Sequence, residues 1–142
     1  MSDIDKKTKN VSIILCTYNG ARFLREQLDS IVNQTYPIYE LIIQDDCSTD
    51  STESIAKEYV EKFPFIKFVK NETNKGINLN FFSAISRATG EYIAISDQDD
   101  IWELNKIEKQ VGAMFGIAPI VVIEGNHLYF LLYYTIIKIN IF

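Results

Sequence analysis

The chain has only two cysteines, Cys16 and Cys47, which lie far apart and form no C-x-x-C pair. That excludes a disulfide-built scaffold and a cysteine zinc site. It leaves both as reduced, small, buried residues of a cytosolic protein. Basic residues are in the minority, 14 against 19 acidic ones, and the net charge of −5 offers no positive footprint for nucleic acid. The first ten residues, MSDIDKKTKN, contain no apolar core, so they do not read as a signal peptide. There are no internal repeats and no low-complexity linkers. The single histidine, His127, is assigned no role. What remains is an ordinary soluble composition, 47% hydrophobic and 23% charged. At 142 residues it suffices for one domain with a real core.

The apolar residues are arranged in alternating periods. VSIILCTYN (Val11–Asn19) opens as a continuous apolar run, the pattern of a strand buried on both faces. ARFLREQLDSIVNQ puts Leu24, Leu28, Ile31 and Val32 on one helical face, with Arg25, Glu26 and Asp29 outside. Pro37 stops that helix. ELIIQ (Glu40–Gln44) is a second strand. Asp50 followed by Glu53 is a capping arrangement for a second helix, which would turn Ile55, Tyr59, Val60 and Phe63 inward. FIKFVK (Phe65–Lys70) is a third strand by its β-branched and aromatic content. INLNFFSAISRAT predicts a third helix, with Phe82 and Ile85 buried and Gly90 at its C-terminal cap. EYIAIS is a fourth strand, and IWELNKIEKQV a fourth helix with Leu104, Ile107 and Val111 apolar. This β-α alternation predicts an α/β fold: a doubly wound, mostly parallel sheet with helices on both faces.

In such a sheet ligands bind outside the carboxyl ends of the strands. The first strand ends in CTYNG, the second in DDCSTD and the fourth in SDQDD, so three polar clusters fall on one edge. In the last, three carboxylates occupy four positions and repel one another unless a cation offsets the charge. A hard divalent ion, Mg²⁺ or Mn²⁺, suits Asp97 and Asp99 and is usually completed by substrate phosphates. It would stabilise a departing diphosphate as a Lewis acid. Asp100 suits a helix N-cap as well as it suits a site. Of the pair Asp45 and Asp46, one can accept a hydrogen bond from a nucleobase imide. Tyr18 offers a flat face to a base or packs in the core. Asp50 reads as a helix cap, Ser48 and Thr49 as turn residues, and Lys75 as a solvated lysine rather than a phosphate ligand.

Three blocks, VSIILCTYNGARFLREQLDSIVNQTY, ELIIQDDCSTDST and NKGINLNFFSAISRATGEYIAISDQDDIW, occur in order between Val11 and Gln110. Together they resemble the N-terminal half of a family 2 glycosyltransferase with the GT-A fold. The SDQDDIW form is similar to bacterial enzymes that build surface polysaccharide, rhamnosyltransferase-like members included. The resemblance implies that Thr17, Tyr18 and Asn19 line a nucleotide pocket and that Asp46 contacts the base with Asp45 beside it. It implies that Asp97 and Asp99 are a DxD pair touching the ribose and the Mn²⁺- or Mg²⁺-bound diphosphate. The donor would be a UDP- or dTDP-linked sugar, and the acceptor a saccharide or lipid-linked hydroxyl, attacked with inversion. The place of action would be the cytoplasm or the inner face of the membrane.

The expected division is a polar arm over residues 1–10, a nucleotide-sugar-binding domain over 11–110 and an atypical apolar tail over 111–142. The tail has three readings: a membrane segment, a pair of buried strands, or a continuation that is truncated or not native. Its last 15 residues, with Lys138 inside, fall short of the ~20 that span a bilayer. The abruptness of the change favours the third reading, and the apolar content predicts self-association. In the family the general base lies well beyond the DxD region, whereas here 43 residues follow Asp99 and Glu124 is the only carboxylate after Glu108. No catalytic base is therefore assigned, and a remnant that binds donor without transfer is the rival reading. A dinucleotide oxidoreductase would need more glycine than TYNGARF supplies. A dehalogenase-like phosphatase would carry its Asp pair after the first strand. A nucleotidyltransferase would show a Gly-rich basic loop.

Overall fold

The computed structural model describes residues 8–96, 98–114, 122–124, 127–129 and 136–138. Asp97 lies outside the described residues, so the first member of the expected DxD pair has no placement.

Four parallel strands form the centre of the sheet: β1 (Val11–Thr17), β2 (Glu40–Asp45), β3 (Ile66–Lys70) and β4 (Tyr92–Ser96), in the order β3-β2-β1-β4. They alternate with α1 (Ala21–Val32), α2 (Thr52–Lys62), α3 (Ile77–Ile85) and α4 (Lys106–Met114). β1 lies in the middle of the sheet, paired with β2 from Ser12↔Glu40 to Thr17↔Asp45 and with β4 from Val11↔Tyr92 to Leu15↔Ser96. All seven of its residues are buried, which is why it reads as an unbroken apolar run. Successive side chains serve opposite faces. Val11, Ile13 and Leu15 join Leu24, Leu28, Ile31, Ile55 and Ile107 from α1, α2 and α4. Ile14 and Cys16 join Ala84 of α3 on the other face. Helices therefore cover both faces, as the alternation predicts.

Five local expectations need correction. Phe82 is exposed, not buried; α3 buries Asn80 and Ala84 and packs Phe81 and Ile85 toward the sheet. Its rotation is set by Asn80, whose amide donates to the Gln44 carbonyl at 3.0 Å and accepts from Asn71. Gly90 does not cap α3, which ends at Ile85. Its N–H instead donates to Ser12 Oγ at 2.8 Å, and a Cβ there would lie 2.6 Å from that oxygen. α4 starts at Lys106, so Leu104 is exposed and Asp100 caps nothing. Gln34 Oε1 accepts the Ile107 N–H at 3.1 Å and satisfies that end of the helix from across the fold, while Trp102 fills the core position. Cys16 is buried as expected, but Cys47 is only partly so and sits at φ 66.

Three short strands lie beyond α4. β5 (Val122–Glu124) and β6 (His127–Tyr129) pair antiparallel, and β7 (Ile136–Lys138) pairs antiparallel with β4 at the sheet edge. Among the described residues, no helix is long and apolar enough to cross a membrane.

Candidate nucleotide-sugar site

The loops after β1, β2, β3 and β4 meet on one edge and are tied to one another side chain to backbone. Thr17, at the end of β1, is buried and its hydroxyl donates to Asp45 Oδ1 at 2.9 Å. Asp45, fully buried, also accepts the Ser48 N–H at 2.9 Å and the Ser48 hydroxyl. The turn that brings Ser48 back to Asp45 passes through Cys47 in the left-handed region. That conformation costs a residue with a Cβ about 1–2 kcal/mol. Lys70 Nζ closes the turn by donating to the Ser48 carbonyl at 3.0 Å.

Asn19, also left-handed at φ 47, joins the first loop to the second. Its N–H donates to Ser48 Oγ at 2.8 Å, and its Oδ1 accepts the Thr49 N–H at 2.9 Å. Asp50 serves both helices that leave this edge. One oxygen accepts the N–H and hydroxyl of Thr52, at the start of α2; the other accepts the Ala21 N–H at 3.1 Å, at the start of α1. Burial would raise this carboxyl, but the hydrogen bonds from Thr52 and Ala21 outweigh it and hold it below the usual carboxylate range. Negative charge at two helix N-termini is favourable for the same reason. The capping reading of Asp50 thus holds, though Glu53 does not reach back to complete a box. It pairs with Lys57 and Lys70 instead.

Asp46 is buried and anchors the loop after β3. Oδ1 accepts from Asn71 Nδ2 at 2.8 Å and from the Lys75 N–H at 2.7 Å, and Oδ2 accepts the Gly76 N–H at 2.8 Å. Gly76, at φ 80, takes a conformation open chiefly to glycine. A carboxylate offers four lone-pair positions. Three are filled, and one on Oδ2 is left for a further donor. Lys75 contributes its backbone N–H here, and its side chain is exposed.

Two of the expected residues face outward. Tyr18 is 49% exposed, which removes the core-packing reading of its ring. Asp99 is exposed and makes no hydrogen bond or ion pair to the described residues. Asp100 is held by Lys106 Nζ at 3.3 Å. No group of three His, Cys, Asp or Glu among the described residues would cage a metal ion alone. A hard cation completed by substrate phosphates needs only one or two carboxylates, and Asp99 is an open oxygen donor of that kind.

Two features escape a motif-based reading. Gln98, between the two aspartates, accepts the Tyr18 N–H on its Oε1 at 2.9 Å. Gln44, Asn71 and Asn80 form a buried amide chain that fixes Asp46, with Gln44 Nε2 donating to Asn71 Oδ1 at 2.8 Å. A glutamine inside the apolar run ELIIQ was the available signal for the second.

A doubly wound sheet that gathers polar loops over the C-terminal ends of its strands has the arrangement in which open α/β proteins bind their ligands. The family model for glycosyl transferase family 2 matches residues 12–130, and the chain belongs to that family. EpsE of Bacillus subtilis is 44% identical over 102 residues, 71% of this chain and 37% of EpsE. The Escherichia coli UDP-Glc:α-D-GlcNAc-diphosphoundecaprenol β-1,3-glucosyltransferase WfgD is 38% identical over 104 residues, 73% of this chain and 40% of WfgD. Among solved structures, the mannosyltransferase PcManGT of Pyrobaculum calidifontis, in complex with GDP-Man and Mn²⁺, superposes with a TM-score of 0.71 at 30% identity. That match covers 77% of this chain and 33% of PcManGT. The chain thus spans about two-fifths of the length of these two curated relatives.

Proposed function

We propose that this chain binds a UDP- or dTDP-linked sugar and belongs to an inverting glycosyltransferase of bacterial surface polysaccharide synthesis. The base stacks on Tyr18, and the remaining acceptor position of Asp46 takes the imide N–H. Asp97 and Asp99 face the ribose and the diphosphate. Mn²⁺ or Mg²⁺, when bound there, neutralises the diphosphate and assists its departure. Thr17, Asn19 and Asp45 hold the loops that carry these groups. The acceptor is a saccharide or lipid-linked hydroxyl, and the protein works in the cytoplasm, at the inner membrane face when the acceptor is a lipid. The residue that takes the acceptor's proton is not assigned.

The observation that carries this reading is the pairing of an exposed aromatic ring at Tyr18 with an exposed, unengaged carboxylate at Asp99, on loops joined through Gln98. Calorimetric titration of UDP and dTDP, with and without Mn²⁺, tests it. Affinity should rise with Mn²⁺, and Asp99→Ala should abolish the rise. Equal affinity with and without metal, or no binding, rejects the reading.

A further inference from the structure

We infer that Gln98 is a positioning residue, which sets Asp99 at a fixed distance from the Tyr18 ring by clamping the β4 loop onto the β1–α1 turn. The inference rests on the donor-site reading and extends it to a residue whose side chain touches no ligand.

Among the described residues the backbone ladder between β1 and β4 runs as far as Leu15↔Ser96. β1 runs on to Tyr18, and the segment after β4 carries Asp99. Among the described residues, Gln98 joins the two loops past that point through its Oε1 and the Tyr18 N–H. The contact is also a close one. A Cβ built on Gly20 would lie 2.8 Å from Gln98 Oε1 and 3.4 Å from its Cδ, so the amide occupies the space where a side chain would stand. Gly20 has φ −99, which any residue adopts. What position 20 requires is therefore space. From below, buried Gln27 Nε2 donates to Ser96 Oγ at 2.7 Å and fixes the end of β4 against α1. The segment that bears Asp99 is thus held on both sides by neutral amides.

Neutrality has a reason. A clamp at this point must accept a backbone N–H, and glutamate would accept it equally well. But Asp97, Asp99 and Asp100 already crowd four positions. A fourth negative charge would add repulsion in every state without a cation. Glutamine supplies the acceptor and adds no charge.

Two variants perturb the contact from opposite sides. Gln98→Met keeps the length and removes the acceptor. Gly20→Ala keeps the acceptor and fills its space. In the protein without ligand, each should speed amide exchange at Tyr18 about three- to tenfold, the range one net hydrogen bond carries, while Ile13–Leu15 exchange unchanged. Gln98→Glu, which keeps an acceptor but adds a charge, should protect Tyr18 better than Gln98→Met does. In UDP titrations each of the first two should cut the gain in affinity from Mn²⁺ by a similar factor. A merely structural loss would lower metal-free and metal-assisted affinity together, and that result overturns the inference. So does normal Tyr18 exchange in Gln98→Met. If the unsubstituted chain shows no Mn²⁺ gain, the donor-site reading fails and the positioning role falls with it. If it shows the gain and both variants keep it, only the role of Gln98 fails.

Discussion

Replacing Asp46 by asparagine separates its two jobs, holding the loop after β3 and reading a base. The carboxylate accepts three hydrogen bonds, two on Oδ1 and one, from Gly76, on Oδ2. Asparagine can keep Oδ1 in place for Asn71 and Lys75. It then turns an NH₂ group toward the Gly76 N–H, and that bond is lost. A hydrogen bond to a charged group contributes ~1.5–3 kcal/mol. Gly76 is exposed and its N–H also reaches Asn74 Oδ1 at 3.2 Å, which puts the loss near the lower limit, about 1.5 kcal/mol. That corresponds to about a tenfold rise in local opening. Amide exchange should therefore accelerate about tenfold at Gly76 and not at Ile13–Leu15 of β1. The same NH₂ would occupy the free acceptor position on Oδ2. It repels the N3–H of uracil and suits the N3 lone pair of cytosine, so the preference for UDP over CDP should narrow. Unchanged exchange at Gly76 refutes the anchoring argument. Acceleration of β1 by the same factor refutes its local character. A full UDP preference in Asp46→Asn refutes the base contact.

Gly90→Ala should destabilise the fold by ~1–3 kcal/mol in denaturant titration, because a Cβ would meet Ser12 Oγ at 2.6 Å and the backbone of Asn10 and Ser12 at 2.8 Å. Adding Ser12→Ala should not rescue it, since two of those three contacts are backbone; full rescue would show that only the hydroxyl mattered. Cys47→Gly should stabilise by up to about 1 kcal/mol, the left-handed cost at φ 66 less the entropy glycine brings to the unfolded chain. A clear loss of stability would mean that the cysteine side chain holds the turn. Hydrogen bonds from Lys57 and Lys70 lower the Glu53 carboxyl from 4.5 to about 2. Its folded-state pKa is depressed, so its contribution is complete above pH 4.5 and fades as pH falls toward 2. Stability curves of the wild type and Glu53→Gln should converge over that window. Parallel curves would deny Glu53 its ion pairs.

Much of the fold was legible because one-residue and multi-residue periods agree. β1 reads as apolar throughout because helices cover both its faces, and α1 shows its stripe because only one face is covered. The misreadings share a cause. Phe82 and Leu104 were expected inside on hydrophobicity, but hydrogen-bonding polar groups decided the outcome. Asn80 rotates α3 through its bonds to Gln44 and Asn71, and Gln34 sets the start of α4 through Ile107. A hydrophobic period cannot reveal a constraint imposed by an amide 73 residues away.

The site was legible as a location more than as a set of roles. The polar clusters do converge on the C-terminal edge, as strand order requires. Yet Thr17 binds Asp45, Asp45 and Asn19 bind the turn at Ser48, and Asp50 binds two helix starts. The physical reason is the loops themselves. Four chain segments leaving adjacent strands carry backbone N–H groups with no ladder partner, and each needs an acceptor. Short acidic and amide side chains are the nearest ones. A loop edge therefore needs polar residues for its own integrity before it binds anything, and motif residues divide between those that face inward and those that remain open. At this edge Tyr18 and Asp99 are open, and Asp46 is both anchor and potential acceptor. Substitutions at Thr17 or Asp45 should thus lower stability and binding together, whereas Tyr18→Ala and Asp99→Ala should lower nucleotide binding with the melting temperature held. A melting temperature that falls as far in the second pair as in the first would remove this division.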